Sequence, residues 1–432
     1  MNKNGIALAA DSAVTVTNGV EGYSSSKIYN TANKLFMLSK YHPIGIMIYS
    51  SADFMQVPWE LIIKLYRKNI GDKSFKKVSD YRDDFLKFMV DSNHFSFIEK
   101  ESAYLSVIIG NFISFVLSSF SRNLSRNAGL MNELEALEGI DLSTRNVELM
   151  LEEVREIKDN FLSNYEKIEG FEGYEFQDFQ TTYQEDVCKE FEKRINKSLI
   201  DLNDFPDLNR ELSSLLFEYL TRNNFMIRST GIVFAGFGDS EIYPSLCSIE
   251  IDGVLNKRLR YADNQIDKIC EENRASIVPF AQKEVMHMFI EGIDPHIEQV
   301  FEDAFVKVMQ GYNSMLANAV DNDTTKNMIL NIDINALKDI FRQDIIRAKR
   351  EWQIIPTIST VEILSKEDLA EMAESLIYLT FLKKRTSSNE ENVGGPIDVA
   401  IISKGDGFIW KNRKHYFEKE LNQHFFSNYF NC

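Results

Sequence analysis

The residues of this chain that could do chemistry together are Asp11 and Lys34. Asp11 ends a short uncharged run, Gly5–Ala10, whose composition predicts a strand buried on both faces. An unpaired carboxylate at the end of a buried strand is costly to remove from water, so Asp11 needs a cationic or hydrogen-bonding partner. Lys34 is the nearest good candidate. From the residues alone, two interpretations stay open: an ion pair that only fixes strand register, or an active-site pair.

Other side chains that bind metals or act as nucleophiles lack the spacing that a site requires. The six histidines are scattered without an HExxH or paired pattern, and the four cysteines lie far apart. Gly236-Phe237-Gly238 is typical of a hairpin turn rather than a phosphate loop. Asp321-Asn322-Asp323 is typical of a helix boundary rather than a calcium loop. We therefore predict neither a cofactor nor a bound metal.

Composition narrows the class of protein. The chain has 432 residues, 44% of them hydrophobic, and a net charge of −17, which argues against electrostatic binding to nucleic acid. Widely spaced cysteines indicate free thiols, and the first residues do not resemble a signal peptide, so we expect a cytoplasmic location. The segment 102–121 is uncharged and long enough to span a bilayer, but Asn111 and six serines interrupt it. A buried helix, with no membrane association, is the favoured interpretation.

The elements around the Asp11–Lys34 pair are predicted to be strands followed by a helix. Residues 34–38 and 44–49 form the pattern of a hairpin, and the polar segment 19–26 is predicted to be a loop. Residues 52–69 carry apolar side chains at helical spacing. Strands that lead into a helix indicate a layered domain with both α and β structure.

The rest of the chain alternates long helical stretches with returns of strand character. Residues 72–224 have helical periodicity and few glycines or prolines. The predicted elements after them are strands at 229–237, 246–251 and 256–261, helices at 278–290 and 294–353, an extended segment at 356–363, a helix at 365–382, and strands at 397–403 and 408–411.

Several motifs, in this order, resemble one known family. "GIALAADSAVTV", "NKLFML" and "IGIMIYSSAD" are similar to the opening of the proteasome/HslV-like N-terminal nucleophile (Ntn) hydrolases. "GIVFAGFGDSEIYPSLCSIEIDG" resembles a long hairpin of that family, and "VGGPIDVAIISKGDG" resembles its closing Gly-Gly and last strands. The resemblance covers about half of the chain, in pieces separated by insertions. It implies an α+β fold, the four-layer αββα sandwich of Ntn hydrolases, with large helical insertions.

The resemblance also implies roles for individual residues. Asp11 would orient an ammonium group, Lys34 would supply it, and the backbone N–H of Ser50, or of its neighbour Ser51, would stabilise an oxyanion. Lys27 is the alternative lysine: it fits the family's spacing better, whereas Lys34 fits the residues around the motif better. A serine at position 50 departs from the glycine usual there, which affects the backbone angles available.

Two more departures concern later segments. The family often has an Asp and a Ser before the closing Gly-Gly, where this chain has Glu390 and Val393. Its Gly-Ser-Gly segment before a central helix is replaced by the segment 277–280.

The largest departure is at the front of the chain. The family's nucleophile is the hydroxyl of an N-terminal Thr, activated by its own α-amine, and it belongs about five positions upstream of Met1. Either the start has been assigned to an internal Met, which we favour because residues 1–4 suit a strand-to-strand turn, or the chain is a non-catalytic relative. Under either explanation we expect the polypeptide as printed to be inactive.

The sequence thus predicts how the chain divides into core, insertions and tail. Residues 1–70, 229–290 and 353–412 are assigned to an Ntn core, 71–228 and 291–352 to helical insertions, and 413–432 to a tail. The expected activity of the intact protein is threonine-type hydrolysis of a peptide or small amide substrate. The alternative is an inactive proteasome-like assembly or partner-binding subunit. Homo-oligomer formation is expected from the same resemblance.

Overall fold

The computed structural model describes residues 1–20, 23–91, 97–127, 129–130, 134, 136, 139–195, 204–225, 229–281, 283–386, 394–415, 417–418 and 420–430. Within those ranges, the side chains of residues 15–29, 97–99, 139–141, 425 and 428–430 lie outside the description. The chain is 57% helical and 18% strand, which makes the fold α+β.

The strands fall near the two ends of the chain and in its middle. They are β1 Ile6–Ala10, β2 Val14–Val20, β3 Tyr23–Tyr29, β4 Leu35–Met37, β5 Ile44–Ser50, β6 Asp53–Phe54, β7 Val57–Pro58, β8 Thr230–Gly236, β9 Ser245–Leu255, β10 Arg258–Lys268, β11 Asp398–Ser403 and β12 Gly407–Asn412.

The helices fill the intervals between these groups of strands. They are α1 Trp59–Ile70, α2 Val78–Asp91, α3 Phe97–Arg126, α4 Gly139–Asn164, α5 Phe176–Arg194, α6 Pro206–Thr221, α7 Lys283–Glu291, α8 Pro295–Asn318, α9 Asp323–Leu330, α10 Ile334–Lys349, α11 Ile355–Ile363, α12 Lys366–Thr386 and α13 Gln423–Phe430.

Two antiparallel sheets lie face to face. One has the order β10-β9-β8-β5-β4 and the other the order β1-β11-β12. Apolar side chains of both sheets form one buried cluster between them, including Leu8, Met47, Val233 and Ile402. Alternate residues of each strand point to opposite faces, so the outer faces are left to be covered by helices.

Helices cover both outer faces. Trp59 and Tyr66 of α1 and Phe85 of α2 pack on the larger sheet, where Phe85 meets Phe234 of β8 with ring centroids 5.5 Å apart. On the smaller sheet, α12 packs against β1 and β11. Through this part of the molecule the layers therefore run helices, sheet, sheet, helix. Because α2 belongs to the first of these layers, the first insertion begins after α2 rather than at residue 71.

The first insertion, α3 to α6, has a hydrophobic core of its own. Phe112, Phe161, Phe179 and Leu216 belong to one buried cluster that reaches Leu255 at the end of β9. In the described residues, α3 is the one helix apolar and long enough to cross a membrane, by length and composition alone. One of its faces is buried in this cluster.

The second insertion, α8 to α10, and the helix α7 before it are built differently. The helix α8 packs along α10, with the rings of Phe305 and Phe341 stacked 4.5 Å apart. Lys349 donates to Glu291 at 2.8 Å and to Glu298 at 2.9 Å, which ties the end of α10 to α7 and α8. In α9 and α10 the structure has no buried side chain.

Several boundaries predicted from the sequence were wrong. The segment 356–363 is helical rather than extended, because α11 continues the preceding helix and Pro356 lies in its first turn, where a missing N–H is tolerated. Most of the predicted loop 19–26 lies in the hairpin β2–β3, since a polar composition does not prevent main-chain pairing. The helix predicted from residue 52 begins at Trp59, after a small hairpin, and that predicted from 278 begins at Lys283.

Candidate functional site

The site is built where β1 ends. The side chains of β1 alternate between buried and half-buried along the strand, and Asp11 follows its last residue. Lys34 Nζ donates to Asp11 Oδ1 at 2.6 Å, and the two side chains are 19% and 16% exposed. Asp11 Oδ2 also accepts from the backbone N–H groups of Ala13 at 3.2 Å and Gly394 at 3.3 Å. The carboxylate thus has the cationic partner that its burial demands.

The position of Lys34 follows from strand pairing. Lys34 immediately precedes β4, which pairs with β5 in the larger sheet. Its carbonyl accepts from Ile48 N–H at 2.8 Å, so the main chain of Lys34 is held against β5. The ion pair therefore joins the two facing sheets at one end of the sandwich. The alternative, Lys27, lies in β3 opposite Val16, and its side chain is outside the described ones.

The closing Gly-Gly segment lies against Asp11. Besides the bond from Gly394 N–H, Ser12 N–H donates to Gly394 O at 3.2 Å, and Ser12 Oγ donates to Pro396 O at 2.5 Å. Gly395 has a φ of +80°, and a Cβ there would lie 2.8 Å from Asn30 Cβ, so only glycine suits the position. Two segments nearly four hundred residues apart in sequence thus meet at this carboxylate. Glu390 and Val393 lie outside the described residues.

Ser50 ends β5 with a φ of +70°, in the left-handed region. A side chain there costs about 1–2 kcal/mol, which glycine would avoid. The chain therefore keeps a glycine-like backbone conformation with a serine. The Ser51 hydroxyl donates to Asp53 O at 2.9 Å and accepts from Asp53 N–H, which leaves its backbone N–H out of both bonds. Of the two candidates for the oxyanion donor, Ser50 is the one that lines the cavity described next.

A cavity of about 210 Å³ connects these groups. Asp11, Lys34 and Ser50 lie on its wall, together with the whole of β1, the segment 276–281 and one face of α12. Apart from these three residues its lining is mainly aliphatic and aromatic. A charged pair beside a mostly apolar concave surface is the usual composition of a small-molecule or peptide site.

One wall of the cavity contains an aromatic pair that sequence reasoning missed. Tyr49 stacks on Phe280 with ring centroids 5.4 Å apart, and its hydroxyl accepts from Asn264 Nδ2 at 3.0 Å. Burial raises the pKa of Tyr49, and the nearby charge of Glu250 raises it further. Gly231 leaves the room that the Tyr49 ring occupies, since a Cβ there would lie 1.8 Å from it. The only sequence signal for this contact is the glycine in β8. Alternate residues of a strand point to opposite faces, and Gly231 lies on the face that the Tyr49 ring contacts.

The free edge of β1 is the second feature that sequence reasoning did not foresee. β1 pairs with β11 on one side, and no described strand pairs with it on the other. The chain enters β1 through a tight turn, in which Asn2 N–H donates to Gly5 O at 3.1 Å and Gly5 N–H donates to Asn2 O at 3.2 Å. Before this turn, Met1 O accepts a hydrogen bond from Ser276 N–H at 2.9 Å, so the segment at residue 276 lies beside residue 1. The turn predicted for residues 1–4 is present.

Neither metal ligands among the described residues nor similarity to known proteins helps to assign a role to this site. Within the described part of the chain, no three His, Cys, Asp or Glu side chains converge as they would around a metal ion. Comparison of the chain with protein-family models, curated proteins and solved structures finds no match.

Proposed function

We propose that this chain contains the core of an N-terminal nucleophile hydrolase of the proteasome/HslV-like type, which cleaves a peptide or small amide bond with an N-terminal Thr. The observation that carries the proposal is the contact of Asp11 with both Lys34 and Gly394, at one end of a cavity bordered by Ser50. These positions are the ones that the motif resemblance selects. The helix–sheet–sheet–helix layering supports an Ntn sandwich as the finer description of the α+β fold.

Each residue has a physical task in such a reaction. The α-amine of the terminal Thr takes the proton of its own hydroxyl, directly or through a water, as the oxygen attacks the carbonyl. The Lys34 ammonium favours the neutral, basic form of that amine, because two like charges repel. Asp11 fixes the ammonium through a 2.6 Å charge-assisted hydrogen bond. The backbone N–H of Ser50 would donate to the oxyanion that develops on the carbonyl.

The turn at Asn2–Gly5 indicates where a nucleophile would stand. Asn2 lies opposite Gly5, so Met1 lies opposite Ile6, and each residue added before Met1 lies opposite the next residue of β1. The fifth added residue lies opposite Asp11. This position agrees with the one that the motif resemblance gives for the Thr. Strand register and motif spacing are independent, and their agreement is a second line of support for the proposal.

The test supplies that residue. The chain is extended by five residues before Met1, beginning with Thr, and a removable fusion partner is cleaved so that Thr becomes the first residue. We expect an electrophilic β-lactone to modify this Thr once per chain, as detected by mass spectrometry. Lys34→Ala should abolish the modification, whereas Ser50→Gly should retain it, because the backbone N–H and its left-handed conformation are preserved.

A second candidate function, the inactive partner-binding subunit, is favoured by a different observation. The helix α8 exposes large apolar side chains, among them Val308 and Met315, which are 67% and 72% exposed. Surfaces of this kind mark protein–protein contacts. A folded, Thr-extended chain that the β-lactone leaves unmodified would favour this candidate. The described cysteines, Cys188, Cys247 and Cys270, are free thiols, which suits the cytoplasmic location proposed for either function.

A further inference from the structure

The exposed face of α8 carries a regular apolar pattern. Ile297, Phe301, Ala304, Val308, Gly311 and Met315 recur at alternating spacings of four and three residues, and we call these six the α8 stripe. All six are exposed, and Val300 and Tyr312, also exposed, border them. Apolar residues at this spacing form the seam of a coiled coil, in which a second helix covers them.

The opposite face of α8 is already occupied by its own chain. Phe305 stacks on Phe341, and Glu302 forms ion pairs with Lys338 at 3.2 Å and Arg342 at 3.4 Å. The contact with α10 thus fixes how α8 is rotated and turns the α8 stripe away from the insertion. Nothing in the described part of the chain covers it.

The glycine at position 311 suggests that a second molecule packs closely against α8. Glycine inside a helix costs about 1 kcal/mol relative to alanine, so it needs a reason. A Cβ added at Gly311 would meet no atom within 4 Å in the chain. Packing within the subunit therefore does not require the glycine. A large side chain of another molecule that packs against this position would require the glycine.

The α8 stripe is complementary to itself in one arrangement. If a second α8 runs antiparallel, with the two-fold axis beside residue 306, Phe301 faces Gly311 of the other copy, Ala304 faces Val308, and Ile297 faces Met315. In the heptad pattern, each of these layers joins an a position to a d position, as antiparallel coiled coils require. Each layer occurs twice, because a two-fold interface is isologous. Phe301 then fills the space that Gly311 leaves.

We propose that two copies of this chain associate through antiparallel pairing of their α8 stripes. The six layers cover the exposed apolar residues of both helices, and the flanking Val300 and Tyr312 extend the contact. This inference is independent of the hydrolase proposal, because none of the residues at Asp11 or along the cavity takes part.

Sedimentation velocity on the full chain tests the association. At about 50 μM we expect a species of twice the 49.9 kDa chain mass. Val308→Glu should weaken the dimer at least about 100-fold, because the carboxylate would be buried between the helices. Ile340→Glu, on α10 and 61% exposed, is the matched control and should leave the dimer unchanged. A monomeric wild type, or a Val308→Glu variant that still dimerises, would overturn the proposal.

Disulfide cross-linking tests the direction of the pairing. The double variant Ala304→Cys with Val308→Cys should form a covalent dimer on mild oxidation, whereas Ala304→Cys alone and the wild type should not. Cross-linking of the single variant would show that like residues face each other. That result would overturn the antiparallel arrangement.

Discussion

Both helical insertions have apolar residues at helical spacing, but the two pack differently. In the first, α3 to α6 surround a core in which Phe112, Phe179 and Leu216 are fully buried. In the second, taken together with α7 before it, the buried side chains among the described residues are Val285, Asn313 and Ala317. Apolar residues at helical spacing therefore do not reveal whether their partner is in the same chain. The first insertion buries its apolar residues in a core of its own, whereas the second leaves most of them exposed on its surface.

The two insertions also differ in how they join the sheets. The first is joined through Arg260 of β10, which is buried and forms an ion pair with the equally buried Asp252. The guanidinium donates to carbonyls at the end of α6, Leu220 O at 2.7 Å and Tyr219 O at 3.2 Å, and so caps that helix. The second is tied internally by Lys349, whose ion pairs are partly buried.

The largest expected effect comes from removing the buried cation. Arg260→Met leaves the Asp252 carboxylate buried without a counter-charge, so we expect the free energy of unfolding to fall by about 3–5 kcal/mol in denaturant titrations. Arg258→Met, which removes a half-buried guanidinium donating to Gly170 O, is the matched control and should cost about 1 kcal/mol. Equal losses in both variants would contradict the assigned role of Arg260.

The same variant predicts a pH dependence. Burial raises the pKa of Asp252, and Arg260 opposes that rise. Without Arg260 the folded-state pKa of Asp252 rises further above its unfolded value, and stability is then lost as pH increases through that window. The deficit of Arg260→Met should therefore shrink as the pH is lowered from neutral and the Asp252 carboxylate becomes protonated. A deficit that grows on acidification would show that Asp252 is not the group responsible.

A smaller effect separates the two insertions at single apolar residues. Phe112→Ala in α3 should lower the free energy of unfolding by about 3–4 kcal/mol, because it leaves a cavity in a filled core. Met328→Ala in α9, where the side chain is 70% exposed, should change it by less than about 0.5 kcal/mol. Comparable losses would mean that the second insertion has a core of its own.

The smallest effect concerns the charges that tie the second insertion together. Lys349→Met removes two partly buried ion pairs that water still reaches, and we expect a loss of about 1 kcal/mol that diminishes in high salt. Urea titrations at low and high ionic strength provide the measurement. A loss as large as that of Arg260→Met would erase the contrast between the two insertions.

Part of the site could be predicted from the sequence because local rules determine it. An apolar run that ends in Asp11 requires a partner, and a lysine at the start of a strand is able to supply one, so the contact with Lys34 followed. The left-handed conformation at Ser50 did not follow, because serine carries no local signal for it. Nor did the free edge of β1, since pairing between strands distant in sequence decides which edges stay open.

The fold shows the same limit. Its α+β class and the strands near both ends follow from hydrophobic patterns. The segment 356–363, predicted to be extended, is rich in β-branched residues, but its contacts at Val361 and its continuity with the preceding helix override their strand preference. The exposure of the α8 stripe could not be predicted from the sequence either, because buried helices have the same spacing of apolar residues.

The central claim is that a terminal Thr opposite Asp11 is activated by Lys34. Its most direct test is the rate of β-lactone modification for chains extended by four, five or six residues before Met1, each beginning with Thr. The account predicts fast modification only with five residues, because one residue more or less turns the Thr to the other face of the strand, and loss of that rate in Lys34→Ala. Equal rates at all three lengths, or an unchanged rate without Lys34, would contradict it.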